Sequence, residues 1–300
     1  MTRNTSRLIR VGAAAAAVAG LVLAGMPGAQ AAPQRASSAQ TTLHVAITDK
    51  ALYVDGPTSF PAGQVHLIFE NARSKADGET AIFRLAPGYS WSDLRADIKT
   101  VGQNLFAPHG DKQKGLKALN HAIAHLTSYG GLLAHAGDSV HGTLLLTDPG
   151  TYAIFNDSGQ IPNSPHWLTV TAPAGYQALP PTDGTVVAQT NRRFSGSSVL
   201  PANGTIRFTN HSTESPHFLI LQQVKEGTTR KQVIAALQSN SKPTFVLSGE
   251  FETDALTTNQ SMDFHVSLPA GEYVQMCFFP DPKTGMPHAL MGMVRVVHLK

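Results

Sequence analysis

The chain has 300 residues, with 23 lysines and arginines against 20 aspartates and glutamates, 13 histidines and one cysteine. So nearly balanced a charge gives no evidence for nucleic acid or an anionic membrane as a partner. A single cysteine excludes an intramolecular disulfide framework, so any fold must be held by its core.

Arg3, Arg7 and Arg10 precede a short apolar run, Val11 to Ala24, and the small-x-small triplet Ala29-Gln30-Ala31. This is the pattern of a cleaved secretory signal over residues 1–31, and its apolar run is too short for a membrane span. The expectation is a secreted, extracellular protein with no membrane span after cleavage. Without those arginines the remainder is formally neutral, 20 against 20. It is long enough for two domains of ordinary size.

Residues 32–41, rich in Ala, Ser and Gln, read as a flexible lead-in. From Leu43 onward, short apolar runs are punctuated by Gly, Pro, Asn and Asp, which predicts an all-β architecture. Residues 173–185 contain Pro173, Pro180 and Pro181 among small residues and read as a linker. The domains are then 42–172 and 186–300.

The flanks of the linker repeat each other. Phe60-Pro61-Ala62-Gly63 leads into a strand closing on Asn71, and Leu200-Pro201-Ala202-Asn203-Gly204 into one closing on Asn210. Pro149 to Asn156 parallels Pro269 to Cys277, with Tyr152 spaced from Asn156 as Tyr273 is from Cys277. Helical spacing interrupts both halves, over Trp91 to Val101 and Lys114 to Leu126 in the first and Thr228 to Gln238 in the second. A duplication is the economical reading.

The chemistry concentrates in the second half. The run Tyr273 to Phe279 favours a strand and carries Cys277, then a Pro/Asp/Gly-rich loop leads to His288 and Met293. Thiolate, imidazole and thioether are donors that copper prefers, and a trigonal His2Cys site with a weak axial Met needs one more histidine. Asn210-His211-Ser212-Thr213-Glu214-Ser215-Pro216-His217 is a polar loop entering the apolar strand Phe218 to Leu221. In a sandwich, strand ends converge at one pole, so His217 is the expected third donor. Met291 competes with Met293 for the axial place.

These residues resemble the cupredoxin family, the blue-copper β-sandwich proteins. Gly271-Glu272-Tyr273 followed by Cys277 resembles the strand that delivers the copper thiolate, and Pro216-His217 that family's first ligand. Cys277-Phe278-Phe279-Pro280-Asp281, a loop, then Pro287-His288 and Gly292-Met293 resemble a secreted prokaryotic group of the same kind. The resemblance implies two Greek-key β-sandwich domains, each with a short helical insert. It also implies one type 1-like copper ion in the C-terminal domain on His217, Cys277, His288 and Met293. Electron transfer or copper handling would follow, with a redox partner protein that the sequence does not name. For His288 to reach Cys277, the intervening loop must fold back at the Pro280-Asp281-Pro282 and Lys283-Thr284-Gly285 turns.

The first half resembles the fold and not the site. Asn156 stands at the cysteine position, Ala81 aligns with His217, and His166 is the one match, to His288. It reads as a degenerate repeat.

Other chemistry is weak. No two histidines are two apart, so the paired ligands of a trinuclear copper oxidase are missing, and no Gly-x-Ser-x-Gly elbow occurs. We expect no enzyme. His121 and His125 would share one helix face, a geometry that can chelate zinc or copper. With no nearby Glu to make the helical zinc-protease pattern, they read as polar residues facing solvent. The rival to the copper reading is a metal-free interaction or scaffold module at the cell surface or outside the cell. It gains if the three strong donors cannot meet.

Overall fold

Short runs with every second residue apolar cannot stand alone; each must pair edge to edge and bury one face. The computed structural model describes residues 40–156, 165–173, 179–239 and 243–300, and within these the chain does this in eighteen strands and three helices. The first half holds β1 (Thr41–Ile47), β2 (Leu52–Asp55), β3 (Ser59–Pro61), β4 (Gly63–Asn71), β5 (Gly78–Leu85), α1 (Trp91–Asn104), α2 (Lys112–His125), β6 (Leu126–Ala134), β7 (Ser139–Leu146), β8 (Gly150–Asn156) and β9 (His166–Thr171). The second holds β10 (Gly184–Gln189), β11 (Arg193–Gly196), β12 (Val199–Leu200), β13 (Asn203–Asn210), β14 (Ile220–Val224), α3 (Arg230–Ser239), β15 (Val246–Glu252), β16 (Ser261–Ser267), β17 (Gly271–Met276) and β18 (Val294–Leu299).

The structure is mostly β, in three sheets. Two five-stranded sheets run β3-β9-β8-β5-β6 and β12-β18-β17-β14-β15, the same order element for element. The third sheet has eight strands, β11-β10-β13-β16-β7-β4-β1-β2, and crosses from one half to the other. Its seam is the antiparallel pairing of β16 with β7, from Met262↔Leu144 to Phe264↔Gly142. Pairing two edges there removes backbone groups that would otherwise face water or another chain. Beneath it Leu43, Leu67 and Phe69 from one half and Val186, Ile206 and Phe264 from the other share one buried apolar cluster.

The helices form near their expected places and start where capping dictates. The Ser90 side chain accepts from Asp93 N and the Asp93 side chain accepts from Ser90 N, a reciprocal cap that starts α1. Asp111 accepts from Lys114 N and starts α2. In the second half α3 lays Val233 against Val274, Met276 and Val294.

Boundaries shift slightly. β1 already begins at Thr41, inside the expected lead-in, and β10 begins at Gly184, inside the expected linker, because Gly184 is in register with Ile206 of β13. The expected signal over 1–31, residues 32–39 of the lead-in and residues 174–178 of the linker lie outside the described residues. Among those described, no helix is long and apolar enough to cross a membrane.

Candidate metal centre

Three backbone devices bring the donors together. β17 pairs with β14 in the register Ile220↔Met276, so the next residue, Cys277, stands at the sheet's end. Tyr273 and Cys277 join the main core, while Val274 and Met276 face α3, as alternation requires. His217 is fastened by a two-way bridge: its N–H donates to Leu256 O at 3.1 Å and Leu256 N–H donates to His217 O at 2.8 Å. Leu256 also bridges Tyr129 of β6, so the first half stands directly behind this ligand.

The third device is the loop. Pro280 and Pro287 form a bridge that folds the segment back, closed by Asp281 N to Met286 O at 2.9 Å and Gly285 N to Asp281 O at 2.7 Å. The Asp281 carboxylate accepts from Lys283 N, Thr284 N and Thr284 Oγ1 and pairs with Arg192 at 3.1 Å. Gly285 turns with φ +68°, and a Cβ there would collide with Leu105 of the first half. Asn120 of α2 donates to Pro282 O at 2.8 Å, a further brace from the first half. His288 N to Phe279 O at 3.1 Å, Ala289 N to Cys277 O at 2.7 Å and Met293 N to His288 O at 2.9 Å complete the fastening.

The result is one buried triad. Cys277 Sγ lies 3.6 Å from His217 Nδ1 and 3.7 Å from His288 Nδ1, and the imidazole centroids are 4.6 Å apart. Metal bonds of about 2.3 Å to sulfur and about 2.0 Å to nitrogen, opened by about 120°, leave their donors about 3.7 Å apart. The residues therefore fit a single ion, and a buried His-Cys-His set of this kind is type 1-like. Among the described residues it is the one group of three such donors close enough to share an ion.

The environment prepares the donors. Burial drives the His217 imidazole down to about 3, helped by His288 and Arg192. Burial likewise lowers His288 to about 4, with Arg192 assisting and Asp281 opposing. Both rings are thus neutral near pH 7. Ser215 Oγ lies 3.5 Å from the Nε2 of each ring, at the outer limit of hydrogen bonding. As acceptor from both it favours the tautomer whose Nδ1 lone pair faces sulfur. Burial pushes the Cys277 thiol up to about 12, against the opposing pull of the Phe279 and Phe218 N–H groups aimed at its sulfur. A cation reverses this, because a coordinated thiol is deprotonated.

Met293 is fully buried in the same apolar cluster as Cys277. Met291 is only partly buried, its sulfur 3.9 Å from the exposed Thr284 hydroxyl, and Met286 is exposed. Gln275 is fully buried, and neither its Oε1 nor its Nε2 has a hydrogen-bond partner.

The strand register corrects two of the alignments expected for the first half. Gln275 pairs with Leu221 and Arg295, as Ile154 pairs with Ile82 and His166. Four residues before Leu221 is His217, and four before Ile82 is Gly78, so Gly78 rather than Ala81 is the counterpart. His166 matches Arg295 within a strand, not His288. The sequence match Pro165-His166 ignored register. Asn156 does correspond to Cys277.

Ser215, Arg192 and Asn120 were not singled out from sequence. Asp281 carried a signal, since Asp before Pro-Lys-Thr favours a side chain-to-backbone turn. Arg192 and Asn120 carried none, because their partners are brought near only by the fold.

No family model matches the sequence, and comparison with curated proteins gives no match. Among solved structures, reduced auracyanin from Roseiflexus castenholzii aligns at 20% identity and TM-score 0.25, over 39% of this chain and 94% of that one. Auracyanin A, a "blue" copper protein from Chloroflexus aurantiacus, aligns at 15% identity and TM-score 0.30, over 44% of this chain and 100% of its own. A multi-copper oxidase from Pediococcus acidilactici aligns at 10% identity and TM-score 0.27, over 87% of this chain and 59% of that one.

Proposed function

We propose that this chain is an exported cupredoxin-like electron carrier. It comprises two Greek-key sandwich domains, residues 41–172 and 184–300, joined by residues 173–183 and preceded by a signal over 1–31. His217, Cys277 and His288, with Met293 as the fourth ligand, would hold one copper ion in the second domain. The observation carrying this reading is the approach of both Nδ1 atoms to one sulfur at 3.6 and 3.7 Å. Bound copper supplies a one-electron couple.

The protein's part is to hold the donors in one arrangement. All four proposed ligands have 0% exposure. The backbone bonds at His217 and His288 fix two of them before any ion arrives. A site so buried and anchored suits passing an electron to a redox partner protein better than releasing its ion. The Phe279 and Phe218 N–H groups stabilise negative charge on sulfur, and such bonds tune a metal's potential. Four protein donors leave no open position for a substrate, so we assign no catalysis. The rival reading, a metal-free module, gains if the donors fail to converge, and the approach of both Nδ1 atoms to one sulfur gives it no such support.

Copper(II) titration of the mature protein tests the assignment. An intense visible thiolate-to-copper band should grow to one equivalent and be absent in Cys277→Ser. A wild-type protein that stays colourless with copper refutes the site.

A further inference from the structure

We propose that His121 and His125 form a second, solvent-open metal site in the first half, a two-imidazole chelate for copper(II). It is separate from the buried centre and shares no donor with it. The two residues lie four apart on α2, hence on one helix face, and their ring centroids are 4.5 Å apart.

Hydrogen bonding settles which ring nitrogen is free. His121 Nδ1 lies 2.7 Å from Asp97 Oδ2, and His125 Nδ1 lies 2.8 Å from the His121 carbonyl oxygen. A carboxylate and a carbonyl only accept, so both Nδ1 atoms carry hydrogen and both Nε2 atoms of the neutral rings keep a lone pair. A carboxylate or carbonyl on the far nitrogen is the arrangement that accompanies metal-bound histidine.

Tyr89 holds the pair in place. Its ring stacks on His125 at 5.0 Å and meets His121 edge-on at 5.3 Å, and its hydroxyl donates to Asp97 at 2.6 Å. The His121 side chain is 51% exposed, so water can complete a coordination sphere.

The spacing allows both imidazoles to share one ion. A ring centroid lies about 3.2 Å from an ion bound at about 2.0 Å through Nε2, so rings with centroids 4.5 Å apart are within reach of a common ion. Square-planar nitrogen coordination suits copper(II) and nickel(II), and copper(II) binds the tighter.

The test adds copper(II) to the mature full-length protein and follows paramagnetic resonance and competition with a chelator. The expected result is an equivalent with weak absorption and the wide hyperfine splitting of square-planar nitrogen ligation, distinct from the intense visible band. His121→Ala or His125→Ala should weaken it at least ~10-fold, while Asp97→Asn, which keeps both imidazoles, should weaken it ~10–100-fold. His109→Ala, at an exposed histidine elsewhere, should leave it unchanged. The same equivalent should persist in Cys277→Ser, so the result stands whether or not the buried centre takes copper. Circular dichroism checks that each variant is folded; should a histidine variant unfold, Asp97→Asn and loss of nickel-column retention in Cys277→Ser/His125→Gln decide. Undiminished binding in both histidine variants, or no such equivalent in the wild type, overturns the proposal.

Discussion

The corresponding ends of the two halves are fastened alike and equipped differently. In the first, Asn71 Nδ2 donates to Ala76 O and Ala134 O, both at 2.9 Å, and its Oδ1 accepts from Arg73 N. In the second, Asn210 Nδ2 donates to Ser215 O at 3.1 Å and Leu256 O at 2.8 Å, and its Oδ1 accepts from Ser212 N. Beyond these anchors the first half presents Gly78 and Asn156 where the second presents His217 and Cys277. The loop geometry is therefore a property of the backbone and of one buried amide, and it persists where Gly78 and Asn156 replace the two donors. A metal site placed on it is formed before metal arrives.

Acid should separate the ends most strongly. His217 and His288 are held neutral in the fold at about 3 and about 4, below the ordinary histidine value of 6.5. Below pH 6.5 the unfolded chain binds protons that the folded chain refuses, so stability falls as pH falls. For the metal-free protein, two such groups give a slope of at most about 2.7 kcal/mol per pH unit between about pH 6 and 4. Urea unfolding across this range measures it, and His217→Leu should remove about half of the slope. A metal-free protein with equal stability at pH 7 and pH 4.5 would contradict the neutral pair.

The two anchors offer the next contrast. Asn71→Ala and Asn210→Ala each strip a partner from at least one buried carbonyl, at about 1–3 kcal/mol per stranded group. Both should lower the unfolding midpoint by similar amounts. Only Asn210→Ala should weaken copper binding, because its loop carries Ser215 and leads into His217. Equal copper affinities in the two variants would show that the anchor does not position the ligand.

How much of this was legible follows from where each signal resides. Cys277, His217 and His288 could be read because soft donors at strand ends, bounded by Pro, Gly and Asp, are unusual in local sequence. The mostly β character of the fold could be read from period-two alternation. The joining of β7 to β16 could not, since each reads as an ordinary half-buried strand and their pairing depends on how the halves dock. Arg192 reaches Asp281 across 89 positions, beyond any local pattern. The His166 match failed for a related reason: spacing within a motif does not report which strand residue lies opposite, and register decides that.

Gln275 gives the smallest effect and the most direct comparison. Its position in the first half is held by Ile154, fully buried and apolar, whereas the Gln275 amide is equally buried and unpartnered. A buried polar group without a partner costs about 1–3 kcal/mol, and an apolar side chain of similar shape does not incur that cost. Gln275→Leu should therefore stabilise the protein by about that amount in urea unfolding, and Ile154→Gln should destabilise it. The amide is two residues from Cys277 on the same strand face, so the substitution also reports on the metal centre. If stability rises and the visible band is unchanged, Gln275 is a defect the core tolerates. If stability rises and the band shifts or copper is held less tightly, the polar residue is retained for what it does beside the thiolate, and the second half has given up part of its core packing for its site.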